Sequence, residues 1–311
     1  QLFSLVSDRS IRRFEGGNVS SVVNNVPQAN PAGYATMVSV KSSSSYTTQT
    51  RHDGTDSATG ICYSVDGGTP VYKSSAAAQI NNLTIPHKNG TPINISIWPT
   101  DYVGSDGAVT SVAPRAGNLT LLGLTNQGIT SLNVSSLSAL TTISTPTNLL
   151  TTLDVSGLTA LRTLNCAGNL LTSMDVSGLA SFTGGNFNEN PMVNVNLSGT
   201  TLEFSGVWLN YMPLLTSLDL SGQTSLKQLS VSNNPSLTSI IATGVSLEYT
   251  FIDESRIQDN NLSEAALIAF VGSLATTTTG QIYYSGNPGS AAFETWLTAN
   301  PTLDKGYIWI N

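Results

Sequence analysis

Charge is scarce in this chain, and positive charge is the scarcer sign. Lys and Arg together number 12 and Asp and Glu number 19 among 311 residues, so the formal net charge is −7. Proteins that bind nucleic acid normally carry a clustered basic surface, and an anionic membrane attracts polybasic segments in the same way. The composition therefore predicts neither partner.

Cysteine, histidine and long apolar runs are few as well. Cys62 and Cys166 fall in different predicted domains and show no zinc-ligand spacing, so they are interpreted as small buried hydrophobes. His52 and His87 lie in turn-like segments without further ligands, so no metal or cofactor is predicted. The longest apolar-looking stretch, residues 265–275, is far below the ~18–20 residues that span a bilayer, which predicts no membrane insertion.

Residues 1–33 are predicted to be an arm or linker, because Gly pairs, Asn pairs and prolines break every periodic pattern there. The N-terminus lacks the features of a signal peptide, and Gln1 in place of Met indicates a processed or trimmed chain. Two interpretations stay open. The segment is either a flexible tail or an anchoring arm that orders on a partner in an assembly, which also allows homo-oligomerisation through the arm.

Residues 34–114 are predicted to form a small β-sandwich, because short alternating runs are separated by turn signals. The runs are 35–41, 60–65 and 91–98, and the turns are 66–68, 88–90 and 106–107. This pattern resembles the immunoglobulin-like modules of bacterial surface proteins and phage structural proteins.

Residues 115–261 contain an internal repeat. Leu140 to Gly157 is followed by Leu161 to Gly178, and apolar residues, an Asn and Asp-Val-Ser-Gly return in register at an offset of 21 residues (161 − 140). A period of roughly 20–29 residues with this pattern is typical of leucine-rich repeats. It predicts a solenoid with a parallel sheet, in which stacked coils share one core. Repeat starts are placed at Leu119, Leu140, Leu161, Phe182, Leu202, Leu226 and Leu247.

A column of amides stands eight residues after the repeat starts. An Asn there has both a donor and an acceptor for backbone groups between coils, so the column is predicted to be a structural ladder. Its members are Asn148, Asn169, Asn190, Asn210 and Asn234, with Gln127 and Ser255 at the ends. The inward strand positions are mostly apolar, and the weak ones predict irregular packing in later coils: Gly185, Ser205 and Thr250.

A second polar column precedes an apolar residue and a serine in each repeat. Short carboxylates and amides at such positions cap turns, whereas calcium would need six or more oxygen ligands in a closed cage. Turn capping is the preferred interpretation. The column consists of Asn133, Asp154, Asp175, Asn196 and Asp219.

The repeat unit L-x-x-L-x-C-x-x-N-x-L-x-x-L/M-D-V-S-G is similar to the 21-residue leucine-rich repeats of internalin-J-like and BspA-like bacterial surface proteins. The resemblance covers about half of the chain. Cys166 is the only strand cysteine retained where that family often has a column. Known members are adhesins and recognition proteins, and related arrays occur on phage particles, so the resemblance implies a displayed recognition function.

Residues 262–311 are predicted to be an α/β C-terminal cap that hides the end of the core. A helix is expected over 262–271 with Ser263 as N-cap, and a second helix over 291–300 that buries Phe293, Trp296 and Leu297. Strands are expected at 281–284 and 307–310. The fold class is thus mainly β: an N-terminal arm, an immunoglobulin-like β-sandwich, a leucine-rich-repeat solenoid with a parallel sheet, and this cap.

Catalytic patterns are missing from the sequence. It has no phosphate-binding loop, nucleophile elbow or Ser–His–Asp arrangement. Asp253 and Glu254 are adjacent carboxylates, but neighbours on a strand point to opposite faces and would not meet one substrate together. The chain is therefore predicted not to be an enzyme.

Outward positions of the predicted sheet become aromatic in the later coils. Exposed aromatics with amide neighbours suit a sugar or a protein surface. The alternative is that they pack beneath the cap or fill gaps left by Gly185 and Ser205. The candidate ligand-binding residues are Phe204, Trp208, Tyr249, Phe251, Gln228 and Asn188.

Two functions follow as hypotheses. The first is a non-enzymatic display protein on a virion or cell surface, whose repeats recognise a host or partner surface, protein or glycan, while the N-terminal part anchors it to protein partners. The second is a purely structural subunit of a phage particle, as a decoration or fibre protein, or of an extracellular filament. Both predict location on a virion surface or at the extracellular cell surface.

Overall fold

The structure is a computed structural model of the 311-residue chain. It describes eight strand segments between 11 and 100, and residues 119–311 except 136, 204–205, 249–254 and 278–279; side chains are described from 120 onward. The chain divides into two compact units, residues 1–161 and 162–311, and each is treated by itself.

The N-terminal strands of the first unit pair antiparallel throughout. β3, β8, β5 and β6 follow one another in one sheet, β4 pairs with β7, and β1 pairs with β2. The remainder of the predicted arm lies outside the described residues, and the immunoglobulin-like identity of these strands stays a prediction. Their bounds are β1 Ile11–Arg13, β2 Ser21–Val23, β3 Ala35–Ser39, β4 Ser45–His52, β5 Gly60–Val65, β6 Val71–Ser74, β7 Asn81–Pro86 and β8 Ile93–Thr100.

The first coils of the repeat array belong to the same unit. Strands β9 (Leu119–Gly123) and β11 (Thr142–Ser144) pair parallel, as successive coils of a solenoid should. On its other side β9 pairs antiparallel with β4, and β10 (Ile129–Asn133) pairs antiparallel with β3. The first coil is therefore joined to the N-terminal strands by main-chain hydrogen bonds.

The second unit consists of short strands on two sides of each coil, with helices in the last coils. Strands of two or three residues are expected here because each coil turns immediately after its inward residue. The elements are β12 Thr163–Asn165, β13 Ser173–Asp175, β14 Gly184–Asn186, β15 Asn194–Asn196, β16 Val207–Trp208, β17 Ser217–Asp219, β18 Ser239–Ile241, β19 Ser255–Arg256, α1 Glu264–Ser273, β20 Gln281–Tyr283, α2 Ser290–Ala299 and β21 Ile308–Ile310.

Strand pairing within this unit is parallel. β12, β14 and β16 are neighbours, single bridges link Trp208 to Ser230 and Ser230 to Arg256, and β19, β20 and β21 continue the sheet. On the other side β13 pairs with β15, and β17 with β18. The chain is mainly β, with a parallel β-solenoid of about six turns and two helices. The predicted solenoid is confirmed.

The core runs along the inward residues of the coils. Leu164, Cys166 and Phe187 are each at most 1% exposed. The weak inward position Gly185 is compensated by stacking of the buried Phe182 and Phe187 rings, whose centroids lie 6.4 Å apart. A Cβ at Gly185 would meet the Leu164 carbonyl oxygen and the Phe187 ring, so glycine is required there. The other predicted inward positions of weak character, Ser205 and Thr250, lie outside the described residues.

The predicted cap continues the solenoid. Helix α1 is capped by Ser263, whose Oγ accepts a hydrogen bond from the Ala266 N–H at 3.2 Å, as a preferred N-cap residue does. Each helix precedes a strand of the parallel sheet, β20 or β21. The coils therefore run past residue 261 with helices replacing the short strands of the far side.

Aromatic residues fill the core of these last coils. Phe293 of α2 is fully buried and packs edge-on against Tyr284 and Trp309, with ring centroids 5.2 and 5.3 Å away. Trp296 and Leu297 are only half-buried, although the sequence pattern predicts their burial. Edge-to-face rings of this kind add about 0.5–1.5 kcal/mol per pair beyond their buried area.

Candidate binding surface

A repeated turn ends each strand of the parallel sheet. One residue there adopts a positive φ, and the next side chain points into the protein. Positive φ is uncommon for residues other than glycine and is best tolerated by Asn and Asp. The positive-φ positions are Asn126, Thr147, Gly168, Glu189, Tyr211, Asn233, Asp259 and Gly286.

The buried residue after this turn is usually asparagine. Asn190 is 1% exposed; its Nδ2 donates to the Cys166 and Phe187 carbonyls, both at 3.0 Å, and its Oδ1 accepts from the Leu171 N–H at 3.1 Å. It thus bonds its own coil and the preceding one. Buried backbone groups at a turn need such partners because water does not reach them.

The same bonding recurs along the array. Asn260 donates to the Val231 and Ile257 carbonyls, and Asn287 to those of Ile257 and Tyr284. The buried asparagines at this position are Asn148, Asn169, Asn190, Asn234, Asn260 and Asn287.

Asn210, which the sequence places in this ladder, requires correction. Tyr211 carries the positive φ of its coil, so the ladder position falls on Met212, which is fully buried. The coil is longer by one residue, since Met212 and Asn234 are 22 apart while Gln127 and Asn148 are 21 apart. Asn210 is left on the outer side of the sheet.

The outer side of the sheet in the second unit has one row of residues in strict register. Asn165 pairs with Asn186, and Asn186 with Trp208. Bridges and strands carry the row onward to its far end. At about 4.8 Å between neighbouring strands the row extends over about 24 Å. We call it the first row: Asn165, Asn186, Trp208, Ser230, Arg256 and Tyr283.

A second row lies two residues further along each strand, and its amides and hydroxyls bond across coils. The Asn188 Oδ1 accepts from the Asn210 N–H at 2.8 Å, and the Asn210 Oδ1 accepts from the Ser232 N–H at 2.7 Å. The Gln258 Nε2 donates to the Ser285 Oγ at 2.7 Å. The second row is Asn188, Asn210, Ser232, Gln258 and Ser285, and the two rows together are called the sheet face.

Aromatic and cationic groups stand out from this polar background. Trp208 is 42% exposed. The guanidinium carbon of Arg256, itself exposed, lies 5.9 Å from the centroid of the Tyr283 ring, within the range of a cation–π contact. Tyr211, at the sheet's edge, is 57% exposed and holds a φ of +58°. A bulky residue in the left-handed region is strained, and such strain is found at functional sites more often than elsewhere.

Ser232 adds an unusual polar atom. The residue is 7% exposed, yet its Oγ has no hydrogen-bond partner. Leaving a buried hydroxyl unpaired costs about 1–3 kcal/mol. Since Ser232 belongs to the second row, this atom is a place where a ligand hydroxyl or a water would be stabilised.

The sequence-predicted binding residues are only partly brought together. Trp208 lies on the sheet face, and Asn188 is half-buried with its Oδ1 engaged by Asn210. Gln228 is 6% exposed, which corrects its assignment to an open surface. The reason is the approach of Gly206, where an added Cβ would contact the Leu226 side chain. Phe204, Tyr249 and Phe251 lie outside the described residues.

Arg256 and Tyr283 were missed by the sequence reasoning because it assumed a constant period. Asn260 follows Asn234 by 26 residues, so a strand expected near residue 251 is found at 255–256. A usable signal was present. In most coils an apolar residue precedes the ladder asparagine by three positions, as in Ile257-x-x-Asn260 and Tyr284-x-x-Asn287.

The second polar column consists of turn caps. In each, the Oδ1 accepts from the N–H two residues later, for example Asp175 from Ser177 at 2.9 Å and Asp219 from Ser221 at 2.8 Å. Hydrogen bonds from these serines lower the aspartate pKa. Among the described residues no group of three or more His, Cys, Asp or Glu side chains is placed to hold a metal ion.

Two further findings bear on the kind of protein. Burial raises the pKa of the Cys166 thiol, so this cysteine is an inert core residue. Neither helix in the described part of the chain is long and apolar enough to cross a membrane.

The described geometry is that of a repeat solenoid. No protein-family model matches the chain, and comparison with curated proteins gives no match. Among solved structures, it is similar to the functional domain of InlJ from Listeria monocytogenes, whose structure is described as including a cysteine ladder. The match has 23% sequence identity and a TM-score of 0.25, and covers 55% of this chain and 45% of that one.

Proposed function

We propose that this chain is a non-enzymatic recognition protein displayed on a virion or cell surface, and that the sheet face is its binding surface. The observation that carries the proposal is Trp208, a large aromatic side chain left 42% exposed in the middle of an ordered row of polar residues. Trp and Arg are the residues most enriched among binding hot spots, and the first row contains both.

The arrangement supports binding for a second reason. Both rows are fixed by main-chain pairing and by side-chain bonds such as Asn210 to Ser232, so little conformational entropy remains to be lost when a partner docks. Preorganisation of this kind raises affinity without additional contact area. In this proposal the N-terminal strands act as an immunoglobulin-like anchoring module that joins the recognition solenoid to protein partners of the particle or cell surface.

The test compares the wild-type full chain with Trp208→Ala on a printed array of purified glycans and extracellular matrix proteins. Leu214→Ala is the matched control, since Leu214 is 48% exposed and lies outside the sheet face. We expect at least one array signal that weakens about 30-fold in Trp208→Ala, the loss typical of a hot spot of ~2 kcal/mol. The control should retain the signal. An empty array, or signals that survive the Trp208 change, would contradict the proposal.

A structural subunit is the second candidate, and the buried asparagine ladder favours it. Bonds such as Asn190 to Cys166 and Asn260 to Val231 tie successive coils together, which is the property needed in a stiff spacer or fibre. Deleting residues 1–30 and measuring incorporation into particles tests the anchoring role of the N-terminal segment. Unchanged incorporation would exclude that role.

A further inference from the structure

The sheet face carries one charge among many neutral hydrogen-bonding groups. Arg256 is the only charged residue of the two rows; the remaining members are amides, hydroxyls and two aromatic residues. The carboxylates Glu189 and Asp259 stand one residue beyond the second row, at the turns. The charge at the middle of the face is therefore positive although the whole chain is acidic.

Arg256 is held in a defined place. Main-chain bridges set it two strands from Trp208, at about 10 Å, because neighbouring strands are about 4.8 Å apart. Its guanidinium lies over the Tyr283 ring, and stacking of this kind leaves the planar edge of the guanidinium available to accept an anion in two parallel hydrogen bonds.

The neutral groups around it suit hydroxyl-rich ligands. Between Trp208 and Arg256 lie Ser230 and, in the second row, the buried Ser232 hydroxyl that has no partner. Amides and hydroxyls exchange donors and acceptors with sugar hydroxyls, while the face of a Trp ring packs against the apolar face of a sugar. A peptide would instead be expected to use apolar pockets or an open strand edge, and neither occurs along these rows.

We infer that the sheet face binds an anionic oligosaccharide lying across the strands, with Trp208 stacking on one sugar, Arg256 pairing with a carboxylate or sulfate, and the Ser232 hydroxyl bonding a sugar hydroxyl between them. This inference rests on the proposed recognition function and specifies its ligand class. The row, about 24 Å long, accommodates several sugar units.

The experiment is isothermal titration calorimetry of the full chain with four probes. These are a hyaluronan hexasaccharide (carboxylated), a heparin hexasaccharide (sulfated), chitohexaose (neutral, sharing the N-acetylglucosamine of hyaluronan) and hexaglutamate (an acidic peptide). We expect one of the two anionic sugars to bind at least about tenfold more tightly than chitohexaose, with the preference weakening at high salt. Which of the two prevails identifies carboxylate or sulfate as the group recognised.

Two variants assign the contacts. Arg256→Gln should remove the preference for the anionic sugar, whereas Arg162→Gln, which removes an exposed positive charge outside both rows, should leave the preference intact. Trp208→Ala should weaken anionic and neutral sugars alike by about tenfold or more. Far-UV circular dichroism confirms that each variant is folded.

The results separate this inference from the function on which it rests. Equal affinity for chitohexaose, stronger binding of hexaglutamate, or no binding of any sugar probe would overturn the anionic oligosaccharide. If an array ligand is still lost in Trp208→Ala, the recognition function stands with another ligand class. If no array ligand depends on Trp208, both fail.

Discussion

The sharpest test of the fold is removal of one ladder amide, and Asn190→Ala is the most informative choice. The change leaves the Leu171 N–H without its acceptor and removes the donor to the Phe187 carbonyl. Leaving a buried backbone group unpaired costs about 1–3 kcal/mol. The Cys166 carbonyl keeps a hydrogen bond from Asn169 at 2.9 Å, so its loss is only partial. We expect Asn190→Ala to lower the free energy of unfolding by about 2–4 kcal/mol.

Urea unfolding of the full chain, followed by far-UV circular dichroism, measures this change. With a denaturant dependence of ~1–3 kcal/mol/M, the expected loss shifts the midpoint by about 1–2 M. Asn194→Ala is the matched control, because Asn194 is an exposed asparagine on β15 and its loss should alter stability by at most about 0.5 kcal/mol. Repeat proteins need not unfold in one step. Hydrogen exchange at the Leu171 amide therefore supplies a local readout, with faster exchange expected in Asn190→Ala alone.

Equal midpoints for the two variants would refute the reasoning. Such a result would mean that water or a shifted backbone satisfies the Leu171 N–H at no cost. Asn190→Asp sharpens the comparison, since it keeps an oxygen for Leu171 but turns a second oxygen toward the carbonyls of Cys166 and Phe187. It should be at least as destabilising as Asn190→Ala, because it places a charge in a buried site without a cationic partner.

Three further outcomes are expected. Cys166 should resist iodoacetamide until the chain unfolds, because burial raises its thiol pKa; peptide mapping by mass spectrometry checks this, and rapid labelling of folded protein would contradict it. Changing Asp154, Asp175 and Asp219 to Asn should flatten the fall in melting temperature below pH 3.8: hydrogen bonds lower each folded pKa, so their stabilisation is present above the unfolded value and lost as pH falls through the folded one. An unchanged pH profile would exclude these caps as its source. Tyr211→Gly should raise the free energy of unfolding by at most about 1 kcal/mol, by relieving the positive φ, while weakening any array signal; a less stable variant would show that Tyr211 contributes packing that outweighs its strain.

The regular part of the fold could be predicted because one physical requirement repeats. Each coil buries an apolar residue and must satisfy the turn three residues later, so pairs such as Cys166 and Asn169 recur at constant spacing. Periodicity reports these positions directly. It also predicts which strand residues face outward, and Trp208 was correctly placed on the outer side for that reason.

The prediction failed where coil length changed. Asn210 carries the expected residue type at the expected distance, yet the one-residue extension hands the ladder position to Met212. The longer coil between Asn234 and Asn260 then displaces every later outward position. Composition cannot distinguish a buried asparagine from an exposed one, because the decision is made by the positive-φ turn immediately before it. Gln228 was misassigned for a related reason: its burial depends on how closely Gly206 of the preceding coil approaches.

The division between inner and outer residues explains how a binding surface arises on this scaffold. Asn190, Asn260 and their equivalents bond the coils together from inside, so the backbone of the sheet is held without help from outward side chains. The outer rows can therefore change from small amides at Asn165 to a tryptophan and an arginine at little cost in stability. The strained and unsatisfied groups of the described residues fit this view, because Tyr211 and the Ser232 hydroxyl both lie on or beside the sheet face. Energy left unrecovered at these positions in the isolated chain is energy that a bound partner recovers, and that is why the first row, rather than the far side of the coils, is the surface on which a ligand should be sought.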